Sequence, residues 1–200
     1  MPVIDIASLD LKTITPESLD WHRFVLPADN PMRSIRIDKV VVNMGVGQSG
    51  ERLEKAANVL KELTGQDPSY RKAKKSIKDF GIRKGEHIGV AVTLRRERAI
   101  WFLLKSLAVV DFTLRRSGFD NYGNVSFGIA EHILMPGARY DPAVGIWGFT
   151  VTTVLARPGM RVQYRRRMRH EVGRKQRVSK DEAIKFFTDV IGVRLTSSPS

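Results

Sequence analysis

Val40-Val41-Val42-Asn43-Met44-Gly45-Val46-Gly47-Gln48-Ser49-Gly50-Glu51-Arg52-Leu53 is the stretch whose reading decides the fold. A β-branched apolar run ends in a glycine-rich turn, and the turn opens a segment with helical apolar spacing. Gly45, Gly47 and Gly50 spell G-x-G-x-x-G, the dinucleotide-binding pattern, in the strand–turn–helix context that pattern requires. A dinucleotide site also needs a second parallel strand straight after the helix, ending in an acidic residue for the ribose. Here the helical spacing stops at Gly65 and is followed by Asp67-Pro68 and a lysine-rich stretch, with no apolar strand before Ile88. The glycines then read as a tight turn that needs positive φ and close packing. Asn43, polar at the end of an apolar strand, either caps that turn or contacts a ligand.

The charge around this stretch points elsewhere. The formal net charge is +13. Arg71 to Lys84 holds seven basic residues against Asp79, and Arg157 to Arg177 holds nine against Glu171. These two tracts carry +14 between them, so the rest of the chain sums to about −1. Concentrated patches of this kind attract polyanions by phosphate neutralisation and counterion release. The plain alternative is a pair of solvated charged loops, but nothing nearby in sequence balances them. Neither tract lies on an amphipathic helix with a broad apolar face, which argues against a membrane surface. Tyr70 and Phe80 in the first tract and Tyr164 in the second are suited to stacking on bases, as RNA recognition requires. No helix-turn-helix or zinc module favours DNA.

Working outward, residues 1–29 form an acidic arm with Pro16 and Pro27 as breakers. It is expected to be ordered in part at best, packing across the body through Trp21 and Phe24 or folding back on a basic patch. Thr15-Pro16 is placed to start a short helix there. Residues 30–156 are expected to form the main domain, and 157–200 an arginine-rich segment and C-terminal helix of the same domain. Ile35 to Asn43 reads as a strand, and Ser49 to Thr64 as a helix with Leu53, Ala56, Ala57, Leu60 and Leu63 inward. Tyr70 to Lys84 lacks apolar periodicity and reads as a long functional loop. His87 to Arg95 alternates, with Ile88, Val90, Val92 and Leu94 on one face and Thr93 and Arg95 on the other. Glu97 to Val109 reads as a helix with Ile100, Leu103, Leu104 and Leu107 inward. Asp111 to Leu114, Val125 to Ile133 and Ile146 to Ala156 read as strands, and Asp120 to Asn124 as a turn. Ser179-Lys180-Asp181-Glu182 is a capping box before a last helix that Gly192 closes. The fold class is α+β: an antiparallel sheet of about four to five strands with helices packed on one face, a basic loop and a C-terminal helix.

Catalytic chemistry finds no support. Cysteine is absent, which removes disulfides, thiolate zinc sites and a cysteine nucleophile. His22, His87, His132 and His170 are far apart and show no metal-ligand spacing. No G-x-S-x-G, H-E-x-x-H or P-loop pattern occurs. The uncharged run Ala143 to Ala156 has 14 residues and is too short and polar to span a bilayer. No cofactor or metal is expected.

Ordered motifs then carry a resemblance. Asp38 to Gly47, Leu63-Thr64-Gly65-Gln66, Lys72 to Ile77, Phe80 to Gly85 and Val92-Thr93-Leu94-Arg95 resemble the large-subunit ribosomal protein L-five family. Gly123-Asn124 with Phe127-Gly128-Ile129, and Tyr140-Asp141-Pro142 with Gly145-Ile146, match as well. The likeness runs from about Asn30 to Val193, and the Arg157-Pro158-Gly159 junction with the tract after it resembles archaeal and eukaryotic members. The resemblance implies a non-enzymatic, cytoplasmic constituent of the large subunit that binds 5S rRNA. The positions it implies for 5S rRNA are Asn43, Gln66, Thr93 and Arg95. For a loop reaching peptidyl-site tRNA they are Tyr70, Arg71, Lys72, Lys74, Lys75, Ser76, Arg83 and Lys84. Further contacts with large-subunit rRNA fall on Arg157, Arg161, Arg165, Arg166, Arg167 and Arg169. The resemblance also implies ribosomal protein L-eighteen as a neighbour. It further implies a bridge to a protein of the small-subunit head, through loops around Gly118–Asn124 and Met135–Tyr140.

Overall fold

The computed structural model describes residues 14–139, 141–142 and 144–196. Residues 1–13 of the acidic arm and Tyr140 of the expected bridge loop lie outside them.

The apolar run becomes β2 (Ile35–Gly45), the longest strand and the centre of the sheet. Its helical sequel becomes α1 (Glu51–Thr64), which Gly65 ends in the left-handed conformation. β4 (His87–Leu94) and β7 (Phe149–Ala156) flank β2 on either side, both antiparallel to it. β6 (Asn124–Ile129) pairs outside β7, and β3 (Ser69–Lys72) pairs outside β4. The order is β3-β4-β2-β7-β6, with β1 (Val25–Leu26) added to β2. The α+β antiparallel sheet is therefore as expected, with more strands.

β3 corrects one expectation. The lysine-rich stretch reads as loop from its first residue, yet Tyr70, Arg71 and Lys72 lie in a strand paired with β4. An exposed edge strand needs no apolar side chains, because backbone pairing to one neighbour suffices and charge protects its free edge. β3 runs parallel to β2 with β4 inserted between them, so β2–α1–β3 is a split crossover, not an adjacent parallel βαβ unit.

Helices α1 and α2 (Arg96–Val109) cover one face of the sheet. The expected single inward stripe of α2 is too narrow. Ala99, Phe102, Lys105 and Ser106 are buried along with Ile100, Leu103, Leu104 and Leu107. Part of that wider surface is covered by the N-terminal segment, which crosses the outer face of α2, while Phe102 packs on Phe149 of β7. Leu19 and Phe24 are buried in the common core, and Trp101 Nε1 donates to the Ile14 carbonyl at 2.9 Å. Full burial of a side chain such as Phe24 contributes about 1.5–3 kcal/mol. Residues 14–26 are therefore packed onto the body and not loosely attached. Their short helix is a 3-10 turn, Pro16–Ser18.

The expected strands Val125–Ile133 and Ile146–Ala156 are both shorter than read, the first stopping at Ile129 and the second starting at Phe149. His132 folds into a 3-10 turn, its backbone N–H donating to the Trp147 carbonyl and its buried Nδ1 accepting from Trp147 N. β5 (Thr113–Arg115) and β8 (Arg194–Thr196) form a separate parallel pair. The capping box is formed as read, opening α3 (Lys180–Phe186), which continues as a π-turn to Ile191 and ends at Gly192.

Candidate nucleic-acid interface

The glycine-rich turn does not present a phosphate cradle. The N–H groups of Val46 and Gly47 both donate to the Ile88 carbonyl, at 3.0 and 2.9 Å. The Ser49 hydroxyl donates to Glu86 Oε1 at 2.5 Å, placing a carboxylate beside the start of α1. A phosphate there would meet occupied amides and a negative charge. Gly47 and Gly50 serve the turn, with φ of 78° and 93°.

The sheet face opposite the helices is open, and register determines what it carries. Strand residues paired across an antiparallel sheet share a face. Asn43 is paired with Ala91 and Thr150, and these continue to Ser69 and Gly128 at the two edges. The next row holds Val41 between Thr93 and Thr152, with Ser126 beyond. Hydroxyls and one amide therefore populate the central rows, and none of these positions is acidic. Asn43, Ser69, Ser126 and Thr150 are exposed, and Thr93 and Thr152 half-buried. Ser126 and Thr152 share a hydroxyl hydrogen bond of 2.9 Å.

Of the four positions tied to 5S rRNA by resemblance, Asn43 and Thr93 lie on this face. Gln66 joins them, its Nε2 donating to the Thr93 carbonyl at 3.4 Å. Arg95 lies one residue past β4, as the N-cap of α2, where Nη1 pairs with Asp38 Oδ1 at 3.2 Å. Asp38 sits at the β2 bulge, and Arg95 neutralises it beside the open face. Sequence reasoning missed Ser69, Ser126, Thr150 and Thr152. For the last two a signal existed, since Thr150, Thr152 and Val154 alternate with Phe149, Val151 and Leu155.

The first basic tract is a hairpin with its own bonds. Beyond β3, Ala73 exchanges hydrogen bonds with Glu86 and Gly85, and Ile77 with Ile82. Ser76 Oγ accepts from Lys84 N at 2.9 Å, and Glu86 Oε2 accepts from Arg83 N at 3.0 Å. The Ser49 hydrogen bond, then the Arg83 backbone, hold the Glu86 carboxyl below its usual pKa. Tyr70, Arg71, Lys72, Lys74, Lys75, Ser76, Arg83 and Lys84 are all exposed, and Phe80 at the tip is 73% exposed.

The second tract divides. Arg161, Arg165, Arg166, Arg167 and Arg169 are exposed. Arg157 is not: it is 4% exposed, with Nη2 on Glu182 Oε1 at 2.5 Å and Nη1 on the Lys175 carbonyl at 3.2 Å. It anchors the tract to α3 and offers no free guanidinium to RNA. Gln176 fastens the returning chain, donating to the carbonyls of Met32 and Pro158. Among the described residues no group of acidic or histidine side chains is arranged to hold a metal ion. No helix there is long and apolar enough to cross a membrane.

An α+β protein with an acid-free sheet face, flanked by a basic hairpin and an arginine tract, belongs to the class built to hold a structured polyanion. Comparison with known proteins agrees. The Ribosomal protein L5 family model matches residues 30–83, and the model of that family's C-terminal part matches residues 87–190. The Large ribosomal subunit protein uL5 of Caldivirga maquilingensis is 65% identical over 195 residues, 98% of each chain. That of Pyrobaculum aerophilum is 62% identical over 88% of this chain and 98% of its own. That of Sulfolobus acidocaldarius is 54% identical over 84% of this chain and 94% of its own. The chain belongs to the ribosomal protein L5 family, in its archaeal form, a family of structural ribosomal components and not of enzymes.

Proposed function

We propose that this protein, as a structural constituent of the large ribosomal subunit in the cytoplasm, binds 5S rRNA on the open sheet face. The observation that carries this is the face itself: rows of hydroxyls and one amide without a carboxylate, between two basic protrusions. Neutral donors and acceptors select a shape, while the flanking charge supplies affinity. Asn43, Gln66, Thr93 and Arg95 contact 5S rRNA. The hairpin carrying Lys72, Lys74 and Lys75 reaches peptidyl-site tRNA, and Arg161 to Arg169 engage large-subunit rRNA. Loops around Gly118–Asn124 and Met135–Tyr140 contribute to the bridge with the small-subunit head, and ribosomal protein L-eighteen is the neighbour on 5S rRNA.

The test is a salt titration of binding to 5S rRNA against duplex DNA of equal length. With about 6–10 phosphate contacts, affinity falls by roughly three to five decades between 50 and 200 mM salt. Thr93→Ala with Asn43→Ala weakens 5S rRNA binding, whereas neutralising Lys72, Lys74 and Lys75 spares it and impairs tRNA placement. Equal affinity for DNA, or loss of 5S rRNA binding from the lysine changes alone, refutes this division of surfaces.

A further inference from the structure

Where the open face meets the arginine tract there is a cleft of about 390 Å³, within the range of pockets that enclose small organic ligands. Its floor is the sheet row Lys39–Val154–Asn124, on β2, β7 and β6. Two interstrand spacings make that floor about 10 Å wide. Tyr164, from the chain after β7, and Tyr122, from the turn before β6, are among its walls. Both tyrosines are 61% exposed. Each also has a cation over it: Lys39 Nζ lies 5.5 Å from the Tyr164 ring centroid, and the Arg177 guanidinium 5.8 Å from that of Tyr122. No acidic residue is among the lining residues.

The polar groups of the cleft are also set. The Asp120 carboxylate accepts from the backbone N–H groups of Tyr122 and Asn124 and from Asn124 Nδ2, the last at 2.6 Å. That bond engages the Asn124 amide nitrogen, so what this lining side chain has left to offer is its Oδ1, an acceptor. Every unpaired nucleobase has an N–H donor on its pairing edge. Aromatic faces, guanidinium planes and a ready acceptor are the elements with which proteins hold an unstacked base of single-stranded RNA. A phosphate alone would need only the cations and gains nothing from two exposed rings.

We infer that this cleft holds one unpaired nucleobase of the bound RNA, stacked on Tyr122 or Tyr164, with its flanking phosphates on Lys39 and Arg177. The inference rests on the proposed reading of the sheet face as an RNA-binding surface, and it adds a base-specific subsite at its edge.

The experiment uses the full chain with Tyr122→Leu, Tyr164→Leu, the double variant and the matching Tyr→Phe variants. Two ligands are titrated at fixed salt, 5S rRNA and a single-stranded heptamer of adenylate, with circular dichroism as the check on folding. Loss of the stacking ring reduces affinity by about 5- to 150-fold, for both ligands, and leaves the salt slope unchanged. Tyr→Phe retains affinity because the ring is kept. Lys39→Gln lowers the salt slope by about one phosphate contact. Tyr-dependent heptamer binding without 5S rRNA binding supports the cleft and overturns only the assignment of the RNA partner. Unchanged affinity of the double Leu variant for both ligands overturns the cleft. Equal loss in the Leu and Phe variants overturns stacking as its basis.

Discussion

Replacing Glu182 with alanine separates the structural arginine from the exposed ones. Glu182 has two tasks. Its Oε1 meets buried Arg157, and its Oε2 accepts from Ser179 N at 3.0 Å as the reciprocal half of the capping box. Removing one partner of a buried ion pair costs about 3–5 kcal/mol, because the other charge is left without compensation. The Glu182 side chain is 39% exposed, so water can reach the gap, and the lower end of that range applies. Loss of the cap adds about 0.5–1 kcal/mol. The expected total is near 3.5 kcal/mol, a large share of a net stability of about 5–15 kcal/mol. Urea unfolding followed by tryptophan fluorescence should show the midpoint fall by over ~1 M, with the slope unchanged. Adding Arg157→Met removes the stranded charge and should recover most of the loss. Arg157→Met alone removes no phosphate contact, so any loss of RNA affinity should leave the salt slope unchanged. Burial opposes the charged form of Glu182, but the Ser179 backbone and the Arg157 charge outweigh it, so its pKa is lowered. The stabilisation is therefore full above about pH 4.5, the unfolded value, and is lost as pH falls through the lower folded value. A double variant as unstable as Glu182→Ala alone would refute the pairing argument.

Two further substitutions test other features. Thr153 is fully buried, and among the described residues its hydroxyl has no hydrogen-bond partner. Thr153→Val keeps the shape and removes the orphan, so thermal unfolding should show a gain of about 1–2 kcal/mol; a loss would reveal an overlooked partner. Lys105 is 8% exposed, with Nζ 4.3 Å from the Trp101 ring centroid, and burial pushes its pKa down from 10.5. The unfolded chain therefore binds its proton more tightly than the folded one. Lys105→Met should be more stable than the native chain at neutral pH. That advantage should shrink as pH rises through the folded pKa and vanish above about 10.5. A pH-independent difference in melting temperature would place the effect in packing instead.

What was legible in the sequence was local. The turn after β2, the left-handed Gly65 and the Ser179–Glu182 capping box each involve residues within a few positions of one another, and each is found as read. The long-range features were not. β3 has no buried side chain to announce it and exists because β4 offers a backbone ladder. The burial of α2 on its outer side depends on residues 14–24, some eighty positions earlier. Arg157 looks like the first member of an arginine run and becomes a core residue because α3 returns a glutamate to it. The open face was half visible. Strand alternation placed Thr93 outward, but only the pairing of Asn43 with both Ala91 and Thr150 shows that Ser126, Thr150 and Thr152 extend the same surface.

The separation of charge from the sheet has a physical basis. Like charges directly opposite one another across a sheet are destabilising, so a face studded with lysine and arginine would weaken the strands that present it. Here the central rows carry neutral donors and acceptors, and the charge is displaced to the β3 hairpin and the tract after β7. Displaced charge needs anchoring to keep its direction. The hairpin is tied by the Ile77–Ile82 bridge and by Glu86, and the tract by the Arg157–Glu182 pair and by Gln176 on Met32. On the proposed reading, the anchors are therefore as much part of RNA recognition as the residues that would touch RNA. A weakened anchor should reduce affinity by broadening the positions of the cations, with no phosphate contact removed from the surface.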